Sequence, residues 1–136
     1  MIVVLDTNAL LETFPKKAKY HWVFQYFLDK KFTLAVSTEV LLEYQEIIAQ
    51  KTNESIATNV VNGILRRSNT IRIEPSFFWN LIEKDPDDNK FTDLYVAAGA
   101  DLLVSNNTKN FKVLGNIEFP PIRWLTVKQM KKNMFV

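Results

Sequence analysis

The stretch Met1-Ile2-Val3-Val4-Leu5-Asp6-Thr7-Asn8 decides the fold class of this 136-residue chain. A run of apolar β-formers closing on an acid predicts a buried parallel strand over residues 2–6. Such a strand delivers its carboxylate, Asp6, to the C-terminal edge of the sheet, where open α/β sheets bind their ligands. Three later features echo it: Glu43, the cluster Asp85-Pro86-Asp87-Asp88, and Asp93. Acids this far apart in sequence, if gathered by the fold, predict a divalent metal site.

Outward from this strand, helical and extended patterns alternate. Residues 17–29 carry Tyr20, Val23, Phe24, Phe27 and Leu28 at helical spacing. Phe32 to Val36 is a second strand. Ser37 is a candidate N-cap for a long helix to about Lys51, whose apolar positions are Val40, Leu41, Tyr44, Ile47 and Ile48. A helix over 54–68 carries Ile56, Val60, Ile64 and Leu65. Ile71 to Pro75 is a third strand, stopped by proline, and 76–83 a short helix or turn. Asp88 is a candidate cap for a helix through Gly99. Leu102 to Ser105 and Ile122 to Leu125 are the fourth and fifth strands, and a last helix starts at Thr126. Strand–helix alternation of this kind predicts one domain over 1–136: an α/β fold, a three-layer α/β/α sandwich with a short parallel five-stranded sheet.

Composition narrows the chemistry. There is no cysteine, so thiolate zinc sites, disulfides and a cysteine nucleophile are excluded. His21 is the single histidine, which excludes a His-rich metal site. Three glycines, Gly63, Gly99 and Gly115, provide no phosphate-cradling loop. What is left is carboxylate chemistry with a hard, oxygen-seeking cation. A net charge of +2 does not by itself indicate nucleic-acid binding, and the lysine and arginine clusters read as solvated helix faces and ends. No apolar run approaches the roughly 20 residues of a membrane span, and the N-terminus lacks the basic start of a signal peptide. The expectation is a cytoplasmic protein without a membrane partner.

Each acid has a plain structural alternative. Asp6 can cap a helix over residues 8–13, with Thr7 and Asn8 shaping the turn, but a buried acid wants a partner. Glu39, Glu43 and Glu46 form an acidic stripe one turn apart. Glu39 and Glu46 read as solvated, whereas Glu43 lies between Leu42 and Tyr44 on a helix that starts at the same sheet edge as Asp6. Asp93 sits in a segment apolar nearly all round, Phe91 to Ala100. There it needs a metal, a donor or a cation, or else serves the helix dipole. Asp88 reads equally as cap or ligand. Asp85 and Asp87 read as loop acids, and Asp101 lies at the wrong end of strand 4.

These segments resemble the PIN-domain family, and more narrowly the toxin component of a toxin–antitoxin system. The matching pieces are Val3 to Asn8, Ser37 to Tyr44, Asp85 to Asp93 and Ala97 to Ser105. The resemblance implies Asp6, Glu43 and Asp93 as catalytic, metal-binding acids, with Asp88 as a further ligand and Asn8 and Ser37 as accessory residues. It implies a Mg²⁺- or Mn²⁺-dependent ribonuclease in which the metal binds the scissile phosphate and acidifies the attacking water.

The chain departs from the family pattern after strand 4. Where one or two further aspartates are usual, it reads Ser105-Asn106-Asn107-Thr108-Lys109-Asn110-Phe111. Asn107 and Asn110 can coordinate or orient through an amide oxygen but bring no charge, and Lys109 partly neutralises the site. A unit charge pair at 4 Å is worth about 4 kcal/mol at an effective dielectric of 20 before desolvation is counted. Mg²⁺ needs only one or two carboxylates plus water and substrate phosphate. The expectation is a one-metal, slow nuclease.

The competing expectation is a catalytically degenerate PIN domain that binds RNA or protein. A metal-dependent phosphatase of another class is disfavoured, because its usual histidine ligands are missing. For partners, the resemblance implies a homodimer and an antitoxin protein whose tail occupies the acidic site. Trp22 and Tyr26, one turn apart on one helix side, are candidate partner contacts; core packing with partial exposure is the alternative.

Overall fold

The computed structural model describes residues 1–82, 86–108, 114 and 120–135. Asp85, Lys109 and Asn110 lie outside the described residues. Five strands, β1 (Ile2–Leu5), β2 (Thr33–Val36), β3 (Thr70–Arg72), β4 (Leu102–Val104) and β5 (Trp124–Leu125), form one sheet in the order β3-β2-β1-β4-β5. Every pairing is parallel. β1 is central: Val3 stands opposite Leu34 on one side and Leu102 on the other. Val3, Val4, Leu5, Leu34 and Leu102 to Val104 are buried, as the unbroken apolar runs require of strands covered on both faces.

The helices are α1 (Thr7–Thr13), α2 (His21–Leu28), α3 (Thr38–Lys51), α4 (Glu54–Arg66) and α5 (Asn89–Ala98). From β1 to β3 the chain steps one way along the sheet, and from β3 to β4 it steps back. With right-handed crossovers, α1 to α4 cover one face and α5 the other. This is the expected α/β/α sandwich. The reversal places a topological switch point between β1 and β4 at the C-terminal edge.

The caps explain several element boundaries. Ser37 accepts the Val40 amide at 3.2 Å and starts α3. Val40, Tyr44 and Ile48 then bury one face of α3. Asn53 accepts the Ile56 amide at 2.9 Å and starts α4. Gly99 ends α5 at φ +61°, a left-handed position that a Cβ would strain.

Other expectations are corrected. The second helix starts at His21 rather than residue 17, because a turn follows Pro15 and the His21 ring bonds back to the Thr13 carbonyl at 2.9 Å. In α4 the buried positions are Ala57 and Ile64, while Ile56 and Leu65 are exposed. Residues 76–82 are irregular chain with a bend at Ser76 and a left-handed Asn80, so of the expected short helix or turn the helix does not form. The helix expected from Thr126 is two short 3-10 turns, Val127–Gln129 and Lys132–Phe135. Thr126 and Gln129 form a complete capping box, but Met130 adopts ψ 142° and is buried, so the helix does not propagate.

Candidate active site

Asp6 leaves β1 at the switch point. Its backbone amide donates to the Val104 carbonyl at 2.9 Å, extending the β1–β4 ladder by one step. One carboxylate oxygen, Oδ1, accepts the Ala9 amide at 2.7 Å and caps α1. The other, Oδ2, accepts the Ser105 hydroxyl from the end of β4. The helix-cap alternative is therefore realised, and it holds the carboxylate in place without removing it from the site. Asp6 is 4% exposed. Burial pushes its carboxyl up to about 6; the Ser105 and Ala9 bonds pull it back, and the nearby Asp88 and Glu43 charges raise it.

Glu43 is brought to Asp6 by its neighbour Tyr44. The Tyr44 ring is buried, and its hydroxyl donates to the Leu5 carbonyl, pinning α3 to the end of β1. The Glu43 carboxylate then meets α1 and α5. Its Oε2 accepts the Thr7 hydroxyl, and its Oε1 pairs with Lys90 Nζ at 2.9 Å. Burial and the Asp6 and Glu43 charges together hold the Tyr44 phenol well above its ordinary range, so it stays a donor.

Asp88 does not cap α5 through its side chain, which corrects one of its two expected roles. It ends a 3-10 turn, Pro86–Asp88, and its Oδ2 accepts the Asn107 amide group at 3.0 Å. Asn107 is itself placed by β4, its backbone amide donating to Ser105 Oγ at 3.0 Å. Asp6, Thr7, Asn8, Glu43, Asp87, Asp88 and Asn107 line one cavity of about 220 Å³, closed by Ile47 and Phe91. Asp87, expected to be a loop acid, stands on its wall.

Asp93 lines a neighbouring cavity rather than the one around Asp6. It lies on α5, five positions after Asp88, which stands outside the helix. Its carboxylate lines a second, smaller cavity of about 60 Å³ with Ser37, Glu39, Glu74, Pro75, Phe78 and Lys90. There Oδ1 accepts the Trp79 amide at 3.0 Å. Burial raises the Asp93 carboxyl, the Trp79 bond lowers it, and Glu39 raises it. Glu39, read from sequence as solvated, is exposed yet close enough to act on Asp93. Among the described residues no three acidic or imidazole side chains converge closely enough to hold a metal ion alone.

Lys90 was not singled out by the sequence reading. It pairs with Glu43 and also lines the Asp93 cavity. The available signal was its position between Asp88 and Asp93 at the start of a buried helix. Trp22 and Tyr26, the candidate partner contacts, pack edge to face with ring centres 5.2 Å apart. Phe135 covers both, at 6.5 and 5.9 Å. The side of α2 expected to meet a partner thus meets the chain's own C-terminal turn.

The fold and this edge define a class: a parallel α/β sandwich carrying acids at the switch point between β1 and β4. The PIN-domain family pattern matches residues 2–109, and the chain belongs to that family. A comparison with curated proteins finds no match. Among solved structures, VapBC2 from Rickettsia felis, bound to a DNA fragment from their promoter, is similar at 23% identity and TM-score 0.64. That match covers 93% of this chain and 98% of the other. DNA-bound VapBC from Salmonella typhimurium is similar at 18% identity and TM-score 0.62, over 93% and 98% of the two chains. VapC20 of Mycobacterium tuberculosis, a Sarcin-Ricin loop cleaving toxin, is similar at 12% identity and TM-score 0.54, over 74% and 86%.

Proposed function

We propose that this PIN domain is a divalent-metal-dependent ribonuclease and the toxin of a toxin–antitoxin pair. The observation that carries the reading is Asp6: a buried carboxylate at the switch point, held by Ser105 and Ala9 and facing the like charges of Glu43 and Asp88. Such a set repels itself, and a cation relieves the repulsion.

The donors fit a hard ion. Every polar group in the larger cavity is an oxygen donor or amide, with no thiolate or imidazole. One or two of Asp6, Glu43 and Asp88 would hold Mg²⁺ or Mn²⁺ directly, with Asn8 and Asn107 as accessory groups and water completing the ligands. A bound ion would polarise a scissile phosphate and acidify a water. The chain's own residues do the positioning. Ser105 and the Ala9 amide orient Asp6, Thr7 orients Glu43, and Asn107 orients Asp88. Asp93 and Ser37 line the neighbouring cavity, where Asp93 accepts the Trp79 amide, and Asp93 stays a candidate acid of the same proposal.

RNA as substrate draws support from the likeness to a toxin that cleaves the Sarcin-Ricin loop. An antitoxin partner and a cytoplasmic setting draw support from the likeness to the VapBC structures. A homodimer is part of the same proposal. No described helix is long and apolar enough to cross a membrane. The test is cleavage of several RNAs by purified protein with Mn²⁺, compared with Asp6→Asn. Loss of cleavage in the variant is expected; equal behaviour of the two proteins refutes the enzyme reading.

One observation favours a second reading. Asn107 stands where the family pattern brings acid, and it donates to Asp88 rather than adding charge. A degenerate PIN domain acting as an RNA- or protein-binding module would look the same here. Calorimetry separates the two: absence of Mg²⁺ or Mn²⁺ binding at millimolar concentration supports the inert module.

A further inference from the structure

We propose that Lys90 is a resident cation of the acidic site, a positioning residue that holds Glu43 while no metal is bound and is displaced when a divalent ion arrives. The inference rests on the metal reading above and deepens it.

Three observations carry it. Lys90 Nζ lies 2.9 Å from Glu43 Oε1, and the two side chains are only 18% and 20% exposed. Pairs this sheltered are not the loose surface contacts that contribute little. Glu43 Oε2 accepts the Thr7 hydroxyl and Oε1 the Lys90 ammonium, and each oxygen keeps a free lone pair, so an ion that binds either oxygen meets the ammonium held on the same carboxylate. An ammonium and a divalent cation on one carboxylate repel strongly at this depth.

The third observation gives the displaced ammonium a destination. Lys90 stands between the two cavities: it pairs with Glu43, which lines the larger one, and it lines the smaller one itself. That smaller cavity holds Glu39, Glu74 and Asp93. Glu74 is committed to Thr38 and Arg72. Glu39 and Asp93 repel each other, and an added ammonium relieves them both. A lysine's flexible four-carbon stem permits the move, whereas arginine's rigid fork would restrict it. Metal binding in this chain is therefore an exchange of cations. The site is weaker for metal than its acids alone would make it, and Glu43 stays oriented in the metal-free protein.

The test is direct binding of Mn²⁺ to the full chain, read as loss of the free-ion electron paramagnetic resonance signal. Lys90→Met should bind Mn²⁺ about tenfold more tightly than the parent chain, because the competing charge is gone. Lys90→Gln serves as a second neutral variant should the first fail to fold by circular dichroism. Lys90→Arg should bind no more tightly than the parent. Lys51→Met, which removes a lysine of the neighbouring cavity around Leu11 and Phe14, should leave the affinity unchanged. An unchanged or weaker affinity in both neutral Lys90 variants overturns the proposal, as does equal tightening in Lys51→Met. Those outcomes leave the metal reading standing. Absence of Mn²⁺ binding in the parent and in every variant removes both.

Discussion

The Asp6 carboxylate accepts the hydroxyl of Ser105, a residue 99 positions away in sequence and adjacent in space only because β1 and β4 pair. That bond joins the two strands that flank the switch point, and it sets the direction of the acid on which the proposed chemistry depends. Removing it leaves Asp6 Oδ2 buried without its donor. Ser105→Ala should therefore lower stability at pH 8 by about 1–3 kcal/mol, measured by urea unfolding of metal-free protein.

Asp6 should also make the metal-free protein pH-sensitive. Its carboxyl is pushed up to about 6 from 3.8, so the folded chain holds this proton more tightly than the unfolded one. The sign follows: the contribution is fully present below about pH 4 and is lost as pH rises through 6, about 3 kcal/mol in all. Asp6→Asn keeps the cap acceptor and cannot ionise. It should gain stability over the parent at pH 8, match it near pH 4, and lose cleavage. Thermal unfolding at the two pH values reads this directly.

A bound ion should reverse that cost. With Mn²⁺ well above its dissociation constant, the parent chain gains stability by mass action, about 2.7 kcal/mol at a hundredfold excess. The melting temperature should rise with Mn²⁺ in the parent and stay level in Asp6→Asn.

Tyr44→Phe tests how α3 is docked. The ring volume is retained, but the buried Leu5 carbonyl loses the Tyr44 hydroxyl. A cost of about 1–3 kcal/mol is expected. Because Tyr44 pins the helix that carries Glu43, Mn²⁺ affinity should fall as well; a loss of stability with unchanged affinity would sink this account of Glu43 placement.

Trp22 and Phe135 offer a test of what covers α2. Their rings meet edge to face within the chain. A double-mutant cycle of Trp22→Ala and Phe135→Ala should give a coupling of about 0.5–1.5 kcal/mol in unfolding of the isolated protein. Additive effects would show that the Phe135 ring does not help to hold Trp22 in place.

Much of this was legible in the residues themselves. The apolar run predicts a buried parallel strand over residues 2–6, one residue beyond the observed Ile2–Leu5, and Ser37 reads as the cap of α3, because strand burial and capping are local properties of a few consecutive side chains. The C-terminal turn departs from its local pattern for the opposite reason. Thr126 and Gln129 form a proper helix start, and the burial of Met130 overrides it. Local patterns cannot report a competing contact made elsewhere in the chain.

The acids divide along the same line. The sequence by itself determined that Asp6 would reach the sheet edge, because a strand's end is written in its apolar run, and that a helix starting at that edge would carry Glu43. Only the tertiary structure decided which acids share a cavity. Asp88 and Asn107 join Asp6 and Glu43, while Asp93 lines the neighbouring cavity with Glu39 and accepts the Trp79 amide. The pairing of Lys90 with Glu43 spans 47 residues and two helices. Burial and charge couple such groups through space, and the chain order of the residues carries no record of that distance until the sheet and its helices are packed.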